Sequence, residues 1–495
     1  MTPKHIFREY DIRGLVEKEL TDETSRLIGQ AFGSFLLEKK KNKVAVGHDL
    51  RPSSERIHKA LLEGLTGTGA DVLDLGLIPT PLLYFGIVHF QTDAGISITG
   101  SHNPPEYNGF KFQLADRPFY GADIQALREA VERREKGEKG IEGRKGAKGE
   151  GRERKGKGEE EKEKERAEGG RGQEEPDRGR AERADIIEPY LDTLKKQFCY
   201  RKRRKIVIDS GHAMGAVVAP RLFKELGQEV VELYSNLDPS FPDHHPDPSV
   251  PENMQDLAHE VKKRGAALGI AFDGDMDRVG VVDEKGAIVP ADRLLLIYAR
   301  SILKKNPGAT VVGDVKCSPL LYEDVAKRGG RPLLWKTGHS LLKAKMKESK
   351  ALLGGELSGH MFFADRWYGF DDALYAACRI VEILDQEDRP LSGLYRDLPP
   401  MISTPEIRVE VRDDQKKFEI VRSVVADLKS EGSDPQGRPY KVVDLDGARI
   451  EFEDGWGLIR ASNTQPVLVM RFEARSEKRL AEIRSLIEGK IKKYA

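Results

Sequence analysis

The stretch Ala94-Gly95-Ile96-Ser97-Ile98-Thr99-Gly100-Ser101-His102-Asn103-Pro104-Pro105 sets the frame for the whole chain. Ala94, Ile96 and Ile98 form a short apolar run that reads as a buried strand. Gly100 permits a tight turn just past the strand end. Asn103-Pro104-Pro105 continues neither a strand nor a helix, because each proline lacks an N–H and fixes φ. Ser101 is therefore expected on a stiff loop at a strand end, where open α/β sheets bind ligands. A serine hydroxyl is a poor nucleophile without an activating neighbour. His102 and Lys111 stand close in sequence as proton-handling or phosphate-pairing groups. Taken alone, the stretch reads equally well as an ordinary Ser-His-Asn-Pro turn.

Upstream, Lys43–Val46 reads as a strand that enters the polar loop Gly47–Ser54, followed by a helix to about Leu65. A strand over Asp71–Leu77 and a helix over Pro81–Phe90 come next. Such alternation implies a largely parallel α/β sheet. Phe7–Gly14, with alternating charge, is either a solvated edge strand or an arm that points Arg13 into a site. Downstream, strands are expected at Lys205–Asp209, Glu229–Tyr234, Ala267–Phe272 and Ala309–Gly313. A unit of strand, polar loop and helix thus recurs three times as coarse internal repetition. From about Met401 the pattern changes to half-buried strands, an amphipathic helix Phe418–Lys429 and a final helix Ser476–Ile491, a small α+β domain. The expected fold class is α/β, with three similar mixed or parallel α/β sandwich domains and a C-terminal α+β domain. The expected divisions are 1–134, 185–288, 289–400 and 401–495.

Residues 135–184 differ in kind. They are almost entirely Lys, Glu, Arg and Gly, and so lack the apolar groups that offset the entropy of ordering. The segment reads as a disordered or loosely helical insertion between domains. The 82 Lys+Arg balance 82 Asp+Glu, giving a net charge of +0, which offers no electrostatic case for nucleic acid or an anionic membrane. Met1–Gly14 has no apolar signal core, and no run approaches a membrane span. The three cysteines are scattered, as suits reduced thiols. A cytoplasmic location is expected.

Asp273, Asp275 and Asp277 place three carboxylates at alternate positions directly after an apolar strand. They would repel one another without a cation, and oxygen-only ligands suit Mg²⁺, which takes its remaining ligands from water and phosphate oxygens. Arg460-Ala461-Ser462-Asn463-Thr464-Gln465 is a plausible phosphate cradle. Phe241–Pro248 carries His244 and His245 among prolines; the histidines could bind a metal, but prolines fixing the loop's shape explain it better.

In their order along the chain, the serine loop, the three-aspartate loop, Gly355-Glu356-Leu357-Ser358-Gly359-His360 and Arg460–Thr464 resemble the α-D-phosphohexomutase superfamily, and within it the bacterial phosphomannomutase/phosphoglucomutase group. The resemblance runs nearly end to end, the charged insertion excepted. It implies four domains around a central cleft. It implies a phosphoserine at Ser101 and one Mg²⁺ per chain, held by Asp273, Asp275, Asp277 and a phosphoserine oxygen, with Arg278 beside it. Glu356 and Ser358 would hold the sugar's 3- and 4-hydroxyls, and His339 would assist in orientation. Arg460, Ser462, Asn463 and Thr464 would grip the non-reacting phosphate. Arg13, Lys111 and Lys316 match positions near the transferred phosphoryl group, and Tyr10 and His102 line that region. Which of these groups is the general acid or base is left open. The family usually has glycine where this chain has Met276.

The implied reaction interconverts hexose 1-phosphate and hexose 6-phosphate, of mannose, glucose or both, through a hexose 1,6-bisphosphate that also serves as activator. Phosphoglucosamine mutase is the nearest alternative, disfavoured by Leu357. A metal-dependent sugar-phosphate phosphatase is another, and a non-catalytic sugar-phosphate sensor a third. Hexose phosphates are the expected partners, with no nucleic acid or membrane, in a monomer or weak homodimer.

Overall fold

The computed structural model describes residues 1–137, 178–411, 415–463 and 466–494. Four sheets form among these residues. The first holds β1 (Ile12–Leu15), β2 (Lys43–His48), β3 (Asp71–Leu77), β4 (Ala94–Ile98), β5 (Tyr107–Leu114) and β6 (Ala181–Arg183), in the order β1-β5-β4-β2-β3-β6. The second holds β7 (Lys205–Asp209), β8 (Glu229–Leu233), β9 (Leu268–Phe272), β10 (Val279–Asp283) and β11 (Ile288–Val289), in the order β11-β10-β9-β7-β8. The third holds β12 (Thr310–Asp314), β13 (Arg331–Trp335), β14 (Leu353–Gly355) and β15 (Met361–Phe363), in the order β13-β12-β14-β15. The fourth is antiparallel and holds β16 (Ile402–Ser403), β17 (Ile407–Glu410), β18 (Lys441–Val443), β19 (Ala448–Phe452), β20 (Gly455–Ala461) and β21 (Val467–Ala474).

The first three sheets share one wiring. Two parallel strands lie beside a third parallel strand, which leaves through a loop and returns as an antiparallel neighbour: β4 to β5, β9 to β10 and β14 to β15. The sequence predicts strand, loop and helix at each recurrence. That unit is present in each, as in β2, the loop 49–53 and the helix Ser54–Thr66. In addition, the third parallel strand of each sheet is followed by a return strand, so both ends of the serine, aspartate and Glu356 loops are pinned by ladder hydrogen bonds. β4 is buried along its whole length, because both of its edges and both of its faces are covered. β1 stands at the sheet margin beside β5 but is largely buried, so the N-terminal stretch is an edge strand that is not solvated, and its Arg13 reaches the serine loop as the arm reading has it.

Residues 178–184, expected within the charged insertion, belong to the first sheet. β6 pairs in parallel with β3, the Val72 N–H donates to the Arg180 carbonyl at 2.7 Å, and the Gly179 N–H donates to the Thr66 carbonyl at 2.9 Å. Strand pairing at an edge is made by backbone groups, so polar Ala-Glu-Arg side chains that stay in solvent do not forbid it. At its other end, Glu135 closes the helix Ala122–Glu135, and residues 138–177 lie outside the described residues.

One continuous apolar cluster runs from Leu73 and Leu83 through Phe272 to Leu353 and Ile380, tying the first three sheets together. The fourth sheet has its own core of Ile420, Val424, Ile450, Met470 and Ile487. It joins the third through a small apolar cluster of Val315, Trp456 and Leu458 and through buried polar contacts: Arg471 with Asp292 at 3.2 Å, Arg293 with Glu473 at 3.2 Å, and the Arg449 guanidinium donating to the Val315 and Cys317 carbonyls at 2.6 and 2.7 Å.

His244 and His245 do not converge on one ligand position. His244 Nε2 lies 3.0 Å from Asp209 Oδ2, while His245 Nε2 bonds the His102 carbonyl and so ties this loop to the serine loop. Burial alone would lower the His244 pKa, but the Asp209 carboxylate lifts it from 6.5 to about 8. Its stabilising contribution is complete below the unfolded-state value and is lost as pH rises through the folded one. We expect His244→Asn to cost about 2 kcal/mol more at about pH 6 than at about pH 9, read from denaturant melts at both.

Candidate active site

The three site loops leave the C-terminal ends of β4, β9 and β14 and meet. Ser101 is buried, with Oγ 3.2 Å from Asp273 Oδ2 and 3.1 Å from His102 Nδ1. The turn is made by Ser101 itself, at φ +50°, and not by Gly100 as the sequence suggests. The Ser101 N–H donates to Thr99 Oγ1 at 2.8 Å, which fixes that conformation. Gly274 must be glycine, since a Cβ there would lie 2.2 Å from the Ser101 carbonyl oxygen.

Asp273, Asp275 and Asp277 are fully buried, each offering an oxygen within 4.8 Å of the others. The Asp277 and Arg278 N–H groups both donate to Asp273 Oδ1 at 3.0 Å. Lys111, on β5, reaches between the sheets and puts Nζ 2.5 Å from both Asp275 Oδ2 and Asp277 Oδ2. Thr80 Oγ1, at the start of a helix, donates to Asp275 Oδ2 at 2.6 Å. Asp275 Oδ1 has no hydrogen-bond partner. An all-oxygen set with an unspent buried oxygen fits a hard divalent cation such as Mg²⁺.

Met276 sits in the left-handed region at φ +63° with its side chain wholly buried. That backbone costs about 1–2 kcal/mol, and burying the thioether returns about 1.5–3 kcal/mol. A side chain at this left-handed position is thus accommodated with the aspartates still converging.

The electrostatics follow from burial and from these pairs. Burial and repulsion from Asp277 and Asp275 push the Asp273 carboxyl well above the usual range. Asp277 feels the same burial, yet Lys111 and His360 hold it well below. Burial pulls Lys111 down, but Asp275 and Asp277 outweigh it and hold its pKa well above the ordinary lysine value. His102 is driven well below an ordinary histidine by burial and by Arg278, Arg13 and Lys111.

The sugar-loop candidates adjoin this cluster. His360 Nε2 lies 3.2 Å from Asp277 Oδ1, and its Nδ1 lies 2.6 Å from Glu356 Oε2. Against burial, these carboxylates raise His360 to about 9, and His360 with Lys316 brings Glu356 to about 2. The Ser358 hydroxyl donates to Glu356 Oε2 at 3.2 Å, and the Gly338 N–H holds Glu356 Oε1 at 2.5 Å. The His339 ring stacks on His360 at 5.5 Å and meets the Tyr10 ring edge-on at 6.0 Å. Tyr10 spans three sheets, donating to the Thr337 carbonyl at 3.0 Å and accepting from Asn463 Nδ2 at 2.6 Å.

Arg13 pairs with Asp11 at 2.7 Å and reaches the serine loop through Asn103 Oδ1 at 3.2 Å. Lys316 pairs with Glu406 at 3.1 Å, and Arg460 pairs with Asp446 at 3.0 Å, near Tyr10. Arg278 approaches Asp273 at 3.9 Å and His360 at 3.4 Å. The Ser462 N–H closes the β20–β21 turn onto the Val467 carbonyl at 3.0 Å. Thr464 lies outside the described residues. The sequence does not single out His360 or Thr80. His360 stands in a quoted motif, but only the meeting of two sheets places it on Asp277, and nothing local marks Thr80.

Four family models match in order. They are phosphoglucomutase/phosphomannomutase alpha/beta/alpha domain I over residues 4–138, domain II over 188–286, domain III over 290–402, and the C-terminal domain over 406–490. A phosphomannomutase/phosphoglucomutase of Pseudomonas aeruginosa is 42% identical over 99% of this chain and 96% of its own length. A phosphoglucomutase of Neisseria meningitidis serogroup A is 38% identical over 99% of this chain and 97% of its own. The crystal structure of a phosphoglucomutase/phosphomannomutase family protein from Burkholderia thailandensis superposes with a TM-score of 0.85 at 39% identity, covering 100% of this chain and 98% of that one. Among the described residues no helix is long and apolar enough to cross a membrane.

Lys111 keeps three buried acids compatible, so Lys111→Met leaves uncompensated charge. We expect a loss of about 3–5 kcal/mol in the presence of a chelator. Saturating Mg²⁺ should raise the melting temperature of the variant more than that of the parent. Equal shifts in thermal melts would count against a shared cation position.

Proposed function

The chain belongs to the phosphoglucomutase/phosphomannomutase family and is a hexose phosphate mutase, and from that premise we propose how its residues divide the work. Ser101 carries the phosphoryl group. The observation that carries this reading is the placement of Ser101 Oγ beside Asp273, with Lys111 and Arg278 gathered round the same acids. In the forward half-reaction the bond from phosphorus to Ser101 Oγ breaks as the sugar's free hydroxyl bonds to phosphorus and gives up its proton. The resulting bisphosphate turns round and returns its other phosphoryl group to Ser101. Phosphoryl transfer demands in-line positioning and charge neutralisation more than covalent chemistry.

Asp273, Asp275 and Asp277 would hold one Mg²⁺, which supplies neutralisation of the phosphoryl oxygens. Lys111, locked in its charged form, adds positive charge and is no base. His102, kept neutral beside Ser101 Oγ, is suited to take or return a proton there. Glu356 and Ser358 read the 3- and 4-hydroxyls, which glucose and mannose share, so both hexoses are substrates. Arg460, Ser462, Asn463 and Thr464 hold the idle phosphate, while Tyr10, His339 and Lys316 complete the wall. On this reading the working units are 1–134 with 178–184, then 185–288, 289–400 and 401–495.

Ser101→Ala should abolish interconversion with sugar phosphate still bound, and intact-protein mass spectrometry of the parent should find one phosphate on Ser101. A parent that frees inorganic phosphate at the rate it consumes hexose phosphate would be a phosphatase. Faster turnover of glucosamine phosphate would shift the assignment to that sugar.

A further inference from the structure

We propose that Arg51, with Asp49, is the positioning residue that holds Ser101 in its reactive conformation; this rests on the reading of Ser101 as the phosphoryl carrier. Arg51 lies in the loop that follows β2, and its side chain is 1% exposed. All five of its side-chain N–H groups are spent. Nε donates to Asp49 Oδ2 at 3.2 Å, and NH1 donates to the Pro104 and Tyr107 carbonyls at 2.6 and 2.9 Å. NH2 donates to the Ser101 and Asn103 carbonyls at 2.8 and 2.5 Å. Asp49 completes the clamp from the other side. Its Oδ2 accepts the Gly100 N–H at 3.1 Å, and its Oδ1 accepts the Arg51 N–H at 3.0 Å and the Ser54 hydroxyl at 2.5 Å.

The loop needs such a partner. Its two prolines donate nothing, and four of its carbonyls turn toward one point, where they would repel each other without a shared cation. Ser101 stands at φ +50°, which a residue with a Cβ adopts only when its surroundings impose it. Gly100 is glycine for the same reason, since a Cβ there would lie 2.4 Å from Arg51 Cζ and Nε. A planar fork of five donors matches this fan of oxygens, and an ammonium does not.

The hydrogen bonds of the Arg51 side chain go to Asp49 and the serine-loop carbonyls, and the Asp275 charge reaches it only at longer range, so a variant that keeps the charge should act through Ser101. Arg51→Lys keeps the charge without the fork. Gly100→Ala displaces the guanidinium without removing it, and tests the idea if the lysine variant fails to fold. For both we expect kcat to fall about 100-fold with KM for hexose 1-phosphate within about threefold of the parent. Acquisition of phosphate from hexose 1,6-bisphosphate, followed by intact mass, should slow in step with kcat, and the phosphoserine signal in phosphorus NMR should move. Wild-type kcat in either folded variant overturns the proposal. So does a parallel loss of kcat and substrate affinity with a collapsed melting temperature in both, which marks a purely structural role. Ser101→Ala, measured alongside, separates the two levels: full turnover there removes the serine reading itself, whereas an inactive Ser101→Ala beside a fully active Arg51→Lys removes only the clamp.

Discussion

The ammonium of Lys111 between Asp275 and Asp277 is the contact on which the rest of the site depends. It joins β5 of the first sheet to the acidic loop of the second where all three side chains are buried and charges act strongly. Three carboxylates this deeply buried are tolerable only with positive charge among them. The pair therefore sets the distance between the serine loop and the acidic loop, and Gly274 lets the two backbones close onto it. The same acids reach the third sheet through His360, whose other nitrogen carries Glu356. One chain of charged contacts thus runs from the serine to the sugar-reading loop.

The fourth sheet is bound differently. Apolar packing welds the first three sheets into one body, whereas the fourth meets them through a small apolar contact of Val315 with Trp456 and Leu458 and, beyond it, through arginines, carboxylates and Tyr10. Hydrogen-bonded contacts of this kind can be exchanged at less cost than an apolar core can be parted. A unit held this way suits a loop that must release one phosphate and take another as the intermediate reverses.

Much of the fold is legible in the chain. The buried run Ala94–Ile98, the strands at Lys205 and Ala267 and the final helix all follow from apolar periodicity, which is local. The return strands β5 and β15 are less legible. β5 carries Lys111 and Asn108 inward, so its pattern does not announce a strand. β6 is invisible for the opposite reason: its polar side chains stay in water while its backbone supplies the pairing.

The sequence by itself determines which residues can do this chemistry. The serine loop, the acid triplet, the Glu356–His360 stretch and Arg460–Asn463 stand out because turn residues and clustered charges are costly and so carry meaning wherever they occur. Only the tertiary structure decides which of them meet. Thr80 on Asp275 and His360 on Asp277 are pairings made by the packing of one sheet against another, and Arg51 under the serine loop is one made by β2 and β4 lying side by side in the first. Local spacing holds no trace of them, because the distance between two loops is set by the packing of everything between them.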